Sequence, residues 1–125
     1  MIPVVFINCS QFPFLDWILT FRKLYETRTR NMLGALVGQR ILLAETGDKR
    51  RPVVRCSAVI RSVLVVRSRA AWEACRASTA VTAGSKYDWQ PNTKAKYLYE
   101  LTDVIPLAPF TPPEGVRHGR VWMEI

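Results

Sequence analysis

Three charged side chains stand close together early in the chain, at positions 23, 26 and 28. Lys23 carries an ammonium group, Glu26 a carboxylate and Arg28 a planar guanidinium. A carboxylate between cations can accept a hydrogen bond from an exocyclic amine of a base, while the cations bind phosphate or carbonyl oxygens. The same groups can also satisfy one another as a structural ion pair, and both interpretations stay open.

The residues that must position these groups predict a short helix followed by a strand. Apolar side chains recur at steps of three and four, which is typical of one buried helix face. They are Phe14, Trp17, Ile18, Phe21 and Tyr25. We expect Ser10 to cap this helix and the helix to end near Lys23. From Tyr25 the period changes to two, so Glu26, Arg28 and Arg30 share one strand face.

The spacing of Lys23, Glu26 and Arg28 resembles the G-x-K-x-x-E-x-R signature of ASCH domains, a family in the PUA-like group. The predicted strands 38–44, 53–66 and 97–105 also come in the family's order. Phe21 stands where the signature has glycine, which implies a different turn and a narrower groove. The resemblance implies an α+β fold, a PUA-like mixed or antiparallel β-barrel with two or three short helices, in a single domain over residues 1–125.

The resemblance also implies a function connected with RNA. The wider group includes small amidohydrolases that deacetylate acetylcytidine, and some relatives are reported to cut RNA. The amidohydrolase lysine matches Lys23, but its threonine nucleophile is replaced by Glu26, and the neighbouring Thr27 should point to the opposite face. If the protein is an enzyme, Lys23 would polarise or deprotonate a group and Glu26 would act as a general base on water.

A second candidate segment is the loop predicted between residues 78 and 96. It carries Tyr87 and Trp89 among lysines that include Lys94. Aromatic rings can stack on bases while lysines bind the backbone, which is typical of single-strand binding. The alternative is that both rings fold back and close the barrel core.

Charge and composition favour an anionic partner. Eighteen Lys and Arg against ten Asp and Glu give a formal net charge of +8. An arginine guanidinium group can bind two phosphate oxygens at once. The expected ligand class is therefore RNA, a nucleotide or a nucleoside. The tip at residues 46–52 and its basic run predict either a phosphate-contacting finger or a solvated turn.

The cysteines, the histidine and the apolar N-terminal segment argue against several classes of protein. Cys9, Cys56 and Cys75 are too scattered for a disulfide framework or a metal clip, and we expect them to be reduced. The single histidine, His118, leaves zinc chemistry few ligands and is expected in an exposed turn. We therefore expect no cofactor and no metal. The apolar start is too short for a signal peptide or membrane span, which predicts a cytoplasmic protein without a membrane partner.

Taken together, the sequence predicts an RNA- or nucleotide-binding domain with a mixed-charge groove. Its expected ligand-binding residues are Lys23, Glu26, Arg28, Arg30, Tyr87, Trp89 and Lys94. A small hydrolase acting on a modified nucleoside or on RNA, with Lys23 and Glu26 catalytic, is the alternative. A protein-interaction adaptor is the second alternative.

Overall fold

The computed structural model describes residues 1–48 and 50–125. These residues form seven strands and three short helices. The strands are β1 (Pro3–Asn8), β2 (Tyr25–Arg28), β3 (Arg40–Thr46), β4 (Val53–Val66), β5 (Lys96–Phe110), β6 (Val116–His118) and β7 (Trp122–Glu124). The helices are α1 (Phe14–Leu19), α2 (Arg69–Ala74) and α3 (Arg76–Thr79), with a single 3₁₀ turn at Gly34–Leu36.

The strands form one mixed sheet in the order β2-β5-β4-β3-β1-β7-β6. Only β1 and β3 pair in parallel among the described strands, and the other neighbours are antiparallel. This architecture confirms the predicted α+β class. In the described part of the chain β2 and β6 remain sheet edges. The sheet nevertheless curls far enough to bring Arg28 of β2 against β1, where its Nη2 donates to the Phe6 carbonyl over 2.9 Å.

The two longest strands, β4 and β5, form a bent ribbon. Their register shifts at three places, and such irregularities bend a strand. The bounds of β4 match the prediction, but β5 runs past the expected end at Ile105, through Pro106 and Pro109. The prolines are tolerated because β2 pairs with β5 only over residues 97–100, so beyond them one edge of β5 has no ladder to lose.

Helix α1 is shorter than predicted, and only part of the predicted apolar stripe is buried. Phe14, Leu15 and Ile18 are buried, whereas Phe21 is 67% exposed. The helix ends at Leu19 because Phe21 adopts a left-handed backbone with φ of 61°, which a continuing helix does not allow. The expected cap is also wrong: Ser10 donates from its backbone N–H and its hydroxyl to Asn8 Oδ1, so the helix has no side-chain cap.

The segment 68–79 forms two short helices, where one was predicted. Ser68 caps α2 as expected, because its hydroxyl accepts from the Ala71 N–H, and Trp72 is completely buried. The chain reverses after α3 at Ala80, which has φ of 55°. The predicted last strand 120–125 is present at Trp122–Glu124, as the second strand of a hairpin whose first strand ends at His118. There its ring stacks on Trp122, 4.0 Å between centroids.

Two further predictions concern loops and cysteines. The three cysteines are free, and Cys56 is fully buried. The predicted tip at 46–52 includes Lys49, which lies outside the described residues. None of the helices described here is long and apolar enough to cross a membrane.

Candidate nucleic-acid interface

The structure buries Lys23 at the junction of α1 and β2. Its side chain is 2% exposed, and Nζ donates to the Thr79 carbonyl over 2.7 Å. Nζ also lies 4.7 Å from the centre of the Phe14 ring. The Leu24 N–H donates to the Ser78 carbonyl. The adjacent carbonyls of Ser78 and Thr79 therefore both hold the junction of α1 and β2 against the end of α3.

Glu26 and Arg28 project from the same face of β2 into the curled sheet, as the period of two predicts. Glu26 is 8% exposed, and its Oε1 lies 3.5 Å from Arg28 Nε. That separation is an ion-pair distance, longer than a well-formed hydrogen bond. Glu26 Oε2 and Arg28 Nε are both buried and have no hydrogen-bond partner within residues 1–48 and 50–125. A buried acceptor and a buried donor are therefore left unused side by side.

The charges of this cluster influence one another. Burial lowers the pKa of Lys23, the negative charge of Glu26 counteracts that change, and the positive charges of Arg28 and Lys96 add to it. Burial also raises the pKa of the Cys9 thiol, and the carboxylates of Glu45 and Glu26 contribute in the same direction. Lys23, Glu26 and Arg28 thus form one electrostatic unit, which we call the mixed-charge cluster.

The residue that departs from the ASCH signature still adopts the backbone for which glycine is favoured. Phe21 has φ of 61°, in the left-handed region. Its ring points to solvent, since the side chain is largely exposed. The expected narrowing of a groove by the Phe21 ring is not seen, because the ring does not contribute to either of the two clefts described below.

The larger of these clefts is an open groove of about 650 Å³ where β2 ends and β5 begins. Three chain segments line it: residues 29–31 after β2, Arg67 after β4, and the loop and strand start at 86–97. Its charged lining residues are all cations. They are Arg30, Arg67, Lys86, Lys94 and Lys96. We call this cleft the basic groove, and two of the predicted site residues, Arg30 and Lys94, line it.

The loop that forms one wall of the groove is organised by a buried carboxylate. Asp88 accepts hydrogen bonds from Trp72 Nε1, Arg76 Nη2 and the backbone N–H groups of Gly84 and Trp89, all between 2.7 and 2.8 Å. Burial, the largest single influence, would raise the pKa of Asp88, but these donors together hold it well below its usual range. The loop therefore has a defined conformation, which these hydrogen bonds hold against α2.

A buried cation fixes the same loop from the other side. Lys96 is 4% exposed, donates from Nζ to the Tyr87 carbonyl over 2.8 Å and lies 5.1 Å from the Trp72 ring centre. Burial lowers the pKa of Lys96, partly offset by the negative charge of Asp88. Lys96 thus shapes the groove, whereas the four other cations are exposed.

Tyr87 and Trp89 both pack against the cluster around the buried Trp72, and Tyr87 also packs against the main core. The Tyr87 ring packs edge-on against Phe12 and Phe14, with centroids 6.0 and 5.1 Å away, and Lys86 Nζ lies 5.1 Å from its centre. Phe14 therefore contacts both Tyr87 and Lys23. Trp89 packs against the cluster around the buried Trp72, which Tyr87 also contacts. Half-exposed Phe12, Trp17 and Tyr87 form an aromatic patch that Lys86 joins to the basic groove.

Sequence reasoning missed Asp88 and Arg67, and it placed Lys96 among the backbone-binding lysines of the loop, whereas Lys96 is buried and supports the loop. The only local signal was the acidic residue inside a basic, aromatic loop, which is typical of a side chain that bonds backbone N–H groups. In the part of the chain described here no group of three His, Cys, Asp or Glu side chains is placed to hold a metal ion.

No protein-family model matches the sequence, and no curated protein matches it. The structure is similar to solved structures of the ASCH protein from Zymomonas mobilis. A serine-to-alanine variant of that protein has a TM-score of 0.69 at 20% identity, covering 86% of this chain and 73% of that one. The unsubstituted protein has a TM-score of 0.66 at 17% identity with the same coverage. The resemblance to ASCH domains is thereby confirmed at the level of the fold.

Proposed function

We propose that this protein binds RNA or an RNA-like nucleotide ligand, with backbone phosphates in the basic groove. The observation that carries the proposal is the charge of that groove: five cations line it and, in the described residues, no carboxylate does. Exposed cations that converge on a cleft attract phosphates and release counterions when they bind them. The formal net charge of +8 adds a long-range attraction of the same sign.

The aromatic patch supports a single-stranded ligand. Lys86 lines the groove and also covers Tyr87, so a strand with its phosphates in the groove passes beside half-exposed rings. Unpaired bases stack on such rings with about 1 to 3 kcal/mol each, with little preference among bases. A duplex hides its base faces and would use only the cations.

The mixed-charge cluster supports recognition of a base edge. Glu26 Oε2 offers an unused acceptor and Arg28 Nε an unused donor, and the Watson–Crick edges of bases present a donor next to an acceptor. Both atoms are buried, so a base reaches them only when neighbouring side chains move aside. This role of Lys23, Glu26 and Arg28 remains a prediction.

The test is fluorescence anisotropy with a labelled single-stranded oligonucleotide across a salt series. We expect affinity to fall steeply as salt rises, and Lys94→Gln to reduce the slope of log affinity against log salt by about 0.7. Arg61→Gln is the matched control, since Arg61 is also exposed but lies outside the groove. Wild-type affinity that does not change with salt, or equal losses in both variants, would refute the proposal.

A hydrolase is the second candidate, because Lys23 is a buried amine whose pKa burial lowers, and the negative charge of Glu26 acts on it. A buried lysine amine is the kind of group that serves as a general base or nucleophile in enzymes. Turnover of a modified-nucleoside panel by wild type, abolished in Lys23→Ala, would support it. Absence of both binding and turnover would leave the adaptor alternative.

A further inference from the structure

A second cleft, of about 540 Å³, lies at the other end of β4. Pro52, immediately before β4, lines it, whereas Arg67, immediately after β4, lines the basic groove. A strand of this length spans up to about 45 Å at roughly 3.3 Å per residue. A single nucleotide is much shorter than such a strand, whereas an extended oligonucleotide can match its length.

Two arginines of the second cleft are available for a ligand. The Arg117 guanidinium carbon lies 4.7 Å above the centre of the buried Phe6 ring, which fixes its position and leaves its N–H groups free. Within the described part of the chain, neither Arg117 nor Arg51 has an acidic partner within 4 Å. By contrast, Arg55 and Arg76 each contact two carboxylates.

The walls of this cleft suit an anion. Pro52, Pro112 and Pro113 give it a stiff backbone, and Thr111 adds a hydroxyl group. Glu114 is the one carboxylate among its lining residues, against the two arginines. The cleft is therefore cationic and largely preformed.

We infer that the second cleft binds a phosphate group of the same RNA strand that occupies the basic groove. The inference rests on the proposed function and extends it, since one strand then contacts both ends of the sheet. Once the strand is bound in the basic groove, its free end is present at a high effective concentration near the second cleft. Affinity therefore rises with strand length by more than the statistical gain from the additional binding registers of a longer strand.

The experiment compares single-stranded oligonucleotides of about 5 and about 20 nucleotides, lengths that bracket common single-strand site sizes. For the long strand we expect Arg51→Gln and Arg117→Gln each to lower affinity several-fold and to reduce the salt slope by about 0.7. Both variants should bind the short strand as wild type does. Arg61→Gln serves as the control, and in isotope-labelled protein the amide signals of Thr111 and Gly115 should shift only with the long strand.

Two outcomes overturn the inference in distinguishable ways. If wild type binds the short strand and both variants keep the full gain with length, the second cleft takes no part and only this inference falls. If wild type binds neither strand, the proposed function falls with it. Arg51→Gln keeps the test valid if Arg117→Gln alters folding, because Arg51 is exposed and makes no contact with Phe6.

Discussion

Lys96 donates a hydrogen bond from Nζ to the backbone carbonyl of Tyr87, 2.8 Å away. The bond joins the first residue of β5 to the loop that forms one wall of the basic groove. A buried ammonium group is unfavourable unless it makes hydrogen bonds. Here its hydrogen bond holds the loop against the start of β5. The groove therefore depends on a buried cation whose ammonium group is bonded to the loop.

Replacing Lys96 should consequently affect stability as well as binding. Lys96→Met keeps the apolar stem but leaves the Tyr87 carbonyl without its donor, and we expect a loss of about 1 to 3 kcal/mol in unfolding free energy. Denaturant unfolding measures this loss. Lys94→Met, at an exposed position, should change stability by less than about 0.5 kcal/mol. Equal effects in the two variants would show that the Lys96 bond does not hold the loop.

Asp88 should make stability depend on pH. Its folded-state pKa lies below the unfolded value of about 4, so its contribution is present above that pH and is lost as pH falls toward the folded-state pKa. Asp88→Asn places an amide among four donors and should cost about 3 kcal/mol at pH 7. The difference between wild type and variant, from denaturant unfolding at several pH values, should shrink below about pH 4. A difference that does not depend on pH would contradict this assignment.

The protein should be more stable with glycine at position 21 than with alanine there. The left-handed backbone of Phe21 costs an ordinary residue about 1 kcal/mol or more, and glycine avoids that cost. Because the exposed ring is removed in both variants, the comparison isolates the backbone. We expect Phe21→Gly to exceed Phe21→Ala by about 1 kcal/mol in unfolding free energy. The reverse order would mean that the turn does not require the left-handed conformation.

Glu26→Gln should change the mixed-charge cluster in two measurable ways. The carboxylate supports the charged form of Lys23, so its removal should lower the pKa of Lys23 further, as followed by carbon chemical shifts of the lysine side chain. If Glu26 reads a base, affinity for the preferred oligonucleotide should also fall by about 1 to 3 kcal/mol. A lowered melting temperature with unchanged affinity would instead assign Glu26 a purely structural role.

Much of the local structure was determined by the sequence alone. The bounds of β4, the Ser68 cap and the common face of Glu26 and Arg28 follow from spacings of a few residues, and backbone geometry fixes such spacings. The order of strands and the Lys-Glu-Arg spacing were enough to predict the ASCH fold, which the structural comparisons confirm.

Only the tertiary structure decided where these elements meet. Lys23 is buried because its ammonium group reaches the Thr79 carbonyl, 56 residues away in sequence. The basic groove joins three distant segments, and Arg67 belongs to it only because β4 and β5 pair to their ends. The length of β5 likewise depends on how far β2 extends along it. Such contacts depend on strand pairing over long separations, for which a local pattern of residue types carries no signal.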